Sequence, residues 1–170
     1  KNTSVIVEPK IDGCAMAVRY VDGLLVKAWT RKGVDKTYCM RMIEDLPKHI
    51  IAKGTVDIRG ELYGKGLIPA RSQRLASGHL RKKQPSGMGL SFCAFQIFDG
   101  KGTEVSNLQQ LVKWGFHVCG HIKVNTNVVN KVKQLHSQWQ DSLIFSRYPT
   151  DGIVVKVLDK DLQEEIGRTS

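Results

Sequence analysis

Hydrophobic and polar residues alternate with a period of two in several short stretches of the chain, which are mostly bounded by glycine, proline or aspartate. This spacing is typical of β-strands that bury one face. One pair of stretches is separated only by Asp22-Gly23, a dipeptide that favours a two-residue hairpin turn. The pattern therefore predicts strands at residues 4–7, 14–21, 24–30, 55–63, 90–98, 116–124 and 153–158.

Other segments repeat apolar residues every three or four positions, as amphipathic helices do. They predict helices at residues 38–44, 69–83, 106–114 and 128–139, and the start of a last helix at 161–166. Ser106 is predicted to cap the third helix and Gly115 to close it. Strands and helices are mixed without a strict βαβ order, so the predicted class is α+β, with largely antiparallel sheets flanked by helices.

Composition fits a single globular domain with a core, since the chain has 170 residues, 41% of them hydrophobic, and a mean hydropathy of −0.24. No apolar stretch is long enough for a bilayer and no secretory signal opens the chain, so no membrane partner is expected. The net charge of +10 favours a polyanionic partner, nucleic acid first. A solubilising surface is the alternative.

The four cysteines, Cys14, Cys39, Cys93 and Cys119, form no Cys-x-x-Cys pair. Reduced thiols in a cytoplasmic setting are the simplest interpretation. His117, Cys119 and His121 could place three metal ligands on one strand face, but no fourth ligand is evident. Half-buried strand residues are therefore the favoured interpretation of this segment.

A single lysine stands out in the segment Glu8-Pro9-Lys10-Ile11-Asp12-Gly13, which follows the apolar run Val5-Ile6-Val7. The pattern predicts a strand that ends in a tight turn and presents Lys10. Lysines become nucleophiles where nearby cations and partial desolvation favour the neutral amine, as in nucleotidyltransferases that form a lysyl-AMP. A surface turn is the alternative, because Pro, Asp and Gly are ordinary turn residues.

Further segments follow this lysine in a fixed order, and the ordered set resembles the adenylation domain of NAD-dependent DNA ligases over nearly the whole chain. ATP-dependent ligases, by contrast, usually have Arg at the position of Ala15. They also lack segments like those that contain Arg71, Arg81 and Trp114 in this chain. The matching segments are Thr30-Arg31 with Gly33-x-Asp35-x-Thr37, Arg59-Gly60-Glu61, Ala70-Arg71-Ser72, Gly78-His79-Leu80-Arg81, Trp114-Gly115-Phe116-His117-Val118, Asp151-Gly152-Ile153-Val154-Val155-Lys156 and Gln163-Glu164-Glu165-Ile166-Gly167.

The resemblance implies a nucleotidyltransferase (ATP-grasp-like) fold and a single adenylation domain over residues 1–170. It also implies a fragment of a longer enzyme. The missing parts would be an N-terminal subdomain for nicotinamide mononucleotide and the C-terminal oligonucleotide-binding, zinc and helix-hairpin-helix parts. Two departures stand out: Val34 replaces the family's Glu, and the chain ends before the family's late Trp-x-x-Ala-x-Lys segment.

The implied reaction has three steps and uses NAD and Mg²⁺. Lys10 forms a covalent lysyl-AMP from NAD, the AMP passes to the 5′-phosphate of nicked double-stranded DNA, and a 3′-hydroxyl displaces it. The enzyme would act as an intracellular monomer of a bacterial, viral or phage-like source, in DNA replication and repair. Alternatives are an ATP-dependent polynucleotide ligase, a capping-type nucleotidyltransferase, or a non-catalytic nucleic-acid-binding relic.

Residue roles carry over position by position from the resemblance. Each position also has a plainer interpretation: a strand-end acid for Glu8 and Glu61, a core side chain for Phe95, a snorkelling strand lysine for Lys156, and solvated charges for the arginines. The implied catalytic residues are Lys10, Asp12, Glu61 and Lys156. Cofactor contacts would come from Glu8 at the adenine edge, Phe95 stacked on adenine, Lys10, Arg31, Glu61, Asp151 and Lys156. DNA and phosphate contacts fall to Arg31, Arg71, Arg81 and Lys82, and Mg²⁺ contacts, directly or through water, to Asp12, Glu61 and Asp151.

Overall fold

Two antiparallel β-sheets organise the chain, and the predicted α+β class is confirmed. The computed structural model describes residues 3–160, 162 and 163. One sheet has three strands in the order β6-β1-β7, and the other has four in the order β3-β2-β4-β5. The elements are β1 (Val5–Ile11), β2 (Cys14–Val21), β3 (Leu24–Thr30), α1 (Thr37–Arg41), β4 (Thr55–Gly64), α2 (Pro69–Arg81), β5 (Leu90–Ile97), α3 (Glu104–Lys113), β6 (Ile122–Val124), α4 (Val128–Gln140) and β7 (Thr150–Val157).

The larger sheet buries one face in the main hydrophobic core. The β2–β3 hairpin turns at Asp22 and Gly23, whose φ angles of 46° and 88° are those of the predicted turn. Alternate residues of the sheet then point into a core that α2 and α3 cover from one side. Among the buried side chains are Met16, Val18, Tyr20, Ala28, Ile58, Leu62, Phe92, Leu108 and Leu111.

The smaller sheet is covered on one face by α4. Val5 and Val7 of β1 pack there with Val124, and with the helix side chains Val128, Val132 and Leu135. The helix therefore partly buries the apolar stripe that its periodicity predicted. The next residue along β1, Ile6, points the other way and joins the main core.

Some sequence predictions are wrong in detail. The first strand does not end before Lys10 but continues to Ile11, because Lys10 pairs with Gly152 of β7. Ser106 is not the N-cap of α3. Thr103 caps it, and Ser106 is the third helical residue of a reciprocal capping box.

The predicted strand 116–124 is shortened to Ile122–Val124. Before it the chain is irregular, and the carbonyl of His117 accepts a hydrogen bond of 2.9 Å from the backbone N–H of Ala94. The first helix is also shorter than predicted and ends at Arg41. Most of the last predicted helix, residues 161–166, lies outside the described residues.

None of the helices in the described part of the chain has both the length and the apolar content to cross a membrane.

A buried serine fixes the turn that follows β1. Ser72 of α2 is fully buried. Its hydroxyl donates to the carbonyl of Asp12 at 2.8 Å and accepts from the backbone N–H of Gly64 at 2.9 Å. The turn is tight as well, because a Cβ at Gly13 would lie 2.0 Å from the carbonyl oxygen of Leu62. These contacts hold β1, β4 and α2 in one arrangement.

We expect Ser72→Ala to lower the free energy of unfolding by about 2 kcal/mol, because it leaves the Gly64 N–H and the Asp12 carbonyl without their partner. Urea unfolding at constant temperature measures the change. Ser77→Ala on the same helix is the matched control, since its hydroxyl makes only an exposed bond to Arg74, and we expect a change below about 0.5 kcal/mol. Equal effects of the two substitutions would contradict the structural role of Ser72.

Candidate active site

A cavity of about 280 Å³ opens between the two sheets. Its walls come from β1 and β7 on one side and from β4 and β5 on the other. Six residues predicted from the sequence line it: Glu8, Lys10, Arg31, Glu61, Phe95 and Lys156. Pro9, Ile11, Cys93, Cys119 and Val154 complete the lining.

Strand alternation explains why Glu8 and Lys10 face this cavity. Val5 and Val7 turn toward α4, so Ile6, Glu8 and Lys10 share the opposite face of β1. In the antiparallel pairing with β7, Ile6 lies opposite Lys156 and Glu8 lies opposite Val154. Lys156 is thus the diagonal neighbour of Glu8 on the same face.

Lys156 is held by a carboxylate rather than left alone in its apolar strand. Its Nζ lies 2.9 Å from Oε1 of Glu8, and the two side chains are 24% and 9% exposed. The same Nζ lies 5.0 Å from the ring centroid of Phe95. Because a buried charge needs a partner, the Glu8–Lys156 pair explains how both charges are kept at the bottom of the cavity.

Glu8 still has unused hydrogen-bonding capacity. Its Oε1 is buried and has no hydrogen-bond partner in the described part of the chain, since the contact with Lys156 lacks hydrogen-bond geometry. Buried polar atoms in proteins are rarely left in this state. A ligand that donates an N–H, such as the exocyclic amine of adenine, would satisfy the carboxylate.

Two β-bulges bring further side chains to the site. Lys10 pairs with Gly152 and Ile11 with Thr150, which leaves Asp151 as the extra residue of β7. Likewise Arg59 pairs with Gln96 and Gly60 with Ala94, which leaves Phe95 as the extra residue of β5. Bulges of this kind redirect side chains and are frequent beside active sites.

Lys10 extends from its strand over Gly152 toward Asp151. A Cβ at Gly152 would lie 3.6 Å from Cδ of Lys10, so the glycine borders the path of the lysine side chain. The Nζ of Lys10 is 3.6 Å from Oδ1 of Asp151, and the side chains are 58% and 46% exposed. An ion pair this exposed contributes little to stability, and the ammonium remains accessible to a ligand.

Asp12, Glu61 and Asp151 lie close enough for their charges to interact, although only Glu61 lines the cavity. Burial raises the pKa of Glu61 to about 7, with smaller upward contributions from Asp12 and Asp151, while the Gly13 backbone N–H and Arg31 oppose the rise. Burial also raises the pKa of Asp12, and the charge of Asp151 adds to the effect while Lys10 opposes it. Bringing a cation here would therefore relieve repulsion among the three acids.

Within residues 3–160, 162 and 163, no three His, Cys, Asp or Glu side chains form a group that could hold a metal ion. The roles of Asp12, Glu61 and Asp151 toward Mg²⁺ therefore remain predictions. In the segment considered for a zinc-type site, Nε2 of His117 instead lies 2.9 Å from the hydroxyl of Tyr63.

The basic residues predicted to contact phosphate separate into two groups. Arg31 lines the cavity. Arg81 is the last residue of α2. Burial and the charge of Glu61 raise the pKa of the Cys14 thiol, and Arg81 lies near enough to oppose this rise. Arg71 and Lys82 are exposed on the same helix and at its end, away from the cavity lining.

Sequence reasoning missed the thiols that line the deep part of the cavity. Cys93 and Cys119 are both nearly fully buried and pack with Tyr63, Ile11 and Tyr148. Strand alternation could have predicted the position of Cys93. It pairs with Glu61 across the sheet, so the two side chains share one face. Cys119 lies in an irregular segment and gave no such signal.

Comparisons with known proteins agree on one family. A family model described as the NAD-dependent DNA ligase adenylation domain matches residues 1–68 and 68–170. A DNA ligase of Fervidobacterium nodosum is 30% identical over 197 residues, covering 100% of this chain and 29% of the relative. A DNA ligase of Borrelia turicatae is 32% identical over 196 residues, covering 99% of this chain and 28% of the relative.

The chain therefore spans less than a third of the length of these relatives. Among solved structures, a mycobacterial DNA ligase D complexed with ATP and MES superposes with a TM-score of 0.55 at 17% identity, over 94% of this chain and 50% of that one. At this identity the likeness shows a shared fold.

Glu61 provides a pH-dependent test of the site. Its pKa in the folded chain is raised, so the neutral carboxyl stabilises the fold at low pH and this contribution is lost as the pH rises through about 7. We expect the unfolding free energy of the wild type, relative to Glu61→Gln, to fall by about 3 kcal/mol between about pH 4.5 and pH 7.

Urea unfolding of both proteins across this range, without divalent metal, measures the difference. The exposed Glu44→Gln substitution is the control and should leave the pH dependence of the wild type unchanged. A difference between wild type and Glu61→Gln that does not vary with pH would show that Glu61 is not desolvated.

Proposed function

The chain belongs to the family of NAD-dependent DNA ligase adenylation domains, and on that premise we propose that Lys10 accepts AMP from NAD and passes it to DNA. The observation that carries the proposal is the convergence of Lys10, Glu8, Lys156, Glu61, Arg31 and Phe95 on one cavity. Its volume of about 280 Å³ is close to the lower limit of about 300 Å³ for small-molecule sites. This size suits a mononucleotide.

The adenylate half of NAD fits the donors and acceptors that the cavity offers. The unsatisfied Oε1 of Glu8 would accept from the adenine amine, and Phe95 would stack on the ring. Glu61, neutral or hydrogen-bonded near pH 7, would hold the ribose hydroxyls. Arg31 and Lys156 would contact the α-phosphate with positive charge.

In the first step the neutral amine of Lys10 attacks the α-phosphorus. A phosphorus–nitrogen bond forms, the bond to the bridging oxygen breaks, and nicotinamide mononucleotide leaves with that oxygen. The proton released by the amine passes to a base, and we assign this role to Asp151, whose Oδ1 lies 3.6 Å from Nζ.

In the later steps an oxygen of a DNA 5′-phosphate displaces the lysine from AMP, and Asp151 can return the proton to the leaving amine. The oxygen of a 3′-hydroxyl then bonds to the activated 5′-phosphorus and its proton passes to solvent. The bond from that phosphorus to the bridging oxygen breaks, AMP leaves with the oxygen, and the strand is joined. We propose that the protein acts as a monomer on nicked double-stranded DNA.

Mg²⁺ would offset the negative charge that builds on the phosphates. Asp12, Glu61 and Asp151 would contact it through water, because they do not form a group of three direct ligands in the described part of the chain. A cation near them would also lower the repulsion that raises the pKa of Asp12 and of Glu61. Away from the cavity, Arg71, Arg81 and Lys82 would neutralise phosphates of the duplex. The excess of basic residues, +10 in total, supports a polyanionic partner.

Intact mass measures the covalent step directly. We expect the protein in its native length, incubated with magnesium and NAD, to gain one adenylyl group, and Lys10→Arg to gain none, because a guanidinium stays protonated and is not a nucleophile. Lys123→Ala, an exposed lysine on β6 of the same sheet, is the matched control and should be adenylated like the wild type.

A gain from ATP in place of NAD would favour an ATP-dependent ligase. An adenylyl group on Lys10→Arg, or none on the wild type with either nucleotide, would contradict the proposal.

A further inference from the structure

A second cavity of about 240 Å³ adjoins the first on the open face of the larger sheet. The two cavities share Arg31, Glu61 and Phe95, so they form one continuous groove. The rest of the second cavity is lined by Ala15, Met16, Ala17, Trp29, Thr30, Arg59, Gly60 and Phe98. None of the roles proposed above uses Trp29, Arg59 or Phe98.

Strand register places these residues in rows across the sheet. Glu61 lies between Ala15, which lines the second cavity, and Cys93, which lines the first. Two residues further along the strands, about 7 Å away, Ala17 lies between Trp29 on one side and Arg59 on the other. The small side chain of Ala17 leaves the space between them open.

Cations lie over both aromatic rings of this surface. The guanidinium of Arg19 is 5.2 Å and Nζ of Lys27 is 5.7 Å from the ring centroid of Trp29, and the guanidinium of Arg59 is 5.6 Å from that of Phe98. Arg19 is neutralised by Asp57, with two hydrogen bonds of 2.8 and 2.9 Å. Among the described residues, no carboxylate oxygen lies within 4 Å of a charged nitrogen of Arg59 or Lys27.

We propose that Trp29, Arg59 and Phe98, here called the stacking platform, bind the DNA strand end whose phosphate reacts in the adjoining cavity. The terminal base of a nicked strand that leaves the duplex can stack on an aromatic ring, as bases of single strands do, and unpaired cations beside the ring contact phosphates. Phe98 is 50% exposed, so its ring is accessible. The inference deepens the proposed function and rests on it for the identity of the strand.

The dimensions of the platform favour a nucleic-acid strand over the nicotinamide half of NAD. Trp29 is on the edge strand β3 and Phe98 follows β5, three strand spacings or about 14 Å across the sheet. That width exceeds one base.

Binding of a fluorescein-labelled, 5′-phosphorylated single-stranded oligonucleotide, followed by anisotropy, tests the platform. We expect Trp29→Ala to weaken binding about tenfold at every salt concentration, because stacking carries no net charge. Trp29→Phe, which keeps an aromatic face, should restore most of the affinity. Arg59→Ala should make the negative slope of log affinity against log salt concentration shallower by about 0.7. This is the value for one phosphate contact to a single strand.

Lys133→Ala on the exposed side of α4 is the matched charge control, and it should not change affinity as Arg59→Ala does. Unfolding midpoints of all variants show that the fold is intact. Wild-type affinity in Trp29→Ala would overturn the inference. So would a rise in KM for NAD in that variant with oligonucleotide binding unchanged, because the platform would then serve the nicotinamide half.

The mass gain of the wild type with NAD separates this inference from the proposed function. If no adenylyl group is gained but the platform variants lose oligonucleotide affinity, the proposed reaction is wrong and the nucleic-acid site stands. If the group is gained but the variants bind normally, the reaction stands and the stacking platform is wrong.

Discussion

The antiparallel pairing of β1 with β7 is the constraint on which the site depends. It places Lys156 diagonal to Glu8 and sets Lys10 beside Asp151, so four charges come from two adjacent strands. A shift of one residue in this register would turn Glu8 and Lys10 toward α4, into the contacts made by Val5 and Val7. The apolar alternation of β1 thus fixes the positions of the charged residues.

The charged side chains of the site differ in how far they are buried and paired. The Glu8–Lys156 pair is deep and compensated, whereas the Lys10–Asp151 pair is half exposed and free to exchange partners. Glu61 lies between these extremes, with a pKa raised to about 7 by burial. A ligand with an amine donor would satisfy Oε1 of Glu8, and a phosphate with its cation would relieve the repulsion among Asp12, Glu61 and Asp151.

Much of the fold could be predicted from local pattern, because hairpin turns and amphipathic periodicity are local properties. Asp22-Gly23 and the apolar stripe of α4 are examples. The positions of Phe95 and Asp151 could not be predicted in the same way, because both are extra residues of β-bulges that depend on the partner strand. The motif order predicted six residues that line the cavity. The surface that joins Trp29 to Arg59 arises only when β4 pairs with β2, a contact between residues far apart in the chain.

The central claim is that one cavity between the sheets holds the adenylate while Lys10 carries it. A crystal structure of the protein after reaction with NAD tests this most directly. The account predicts electron density joining Nζ of Lys10 to phosphorus, with adenine beside Glu8 and Phe95. An adenylyl group on another residue, or adenine bound outside this cavity, would contradict it.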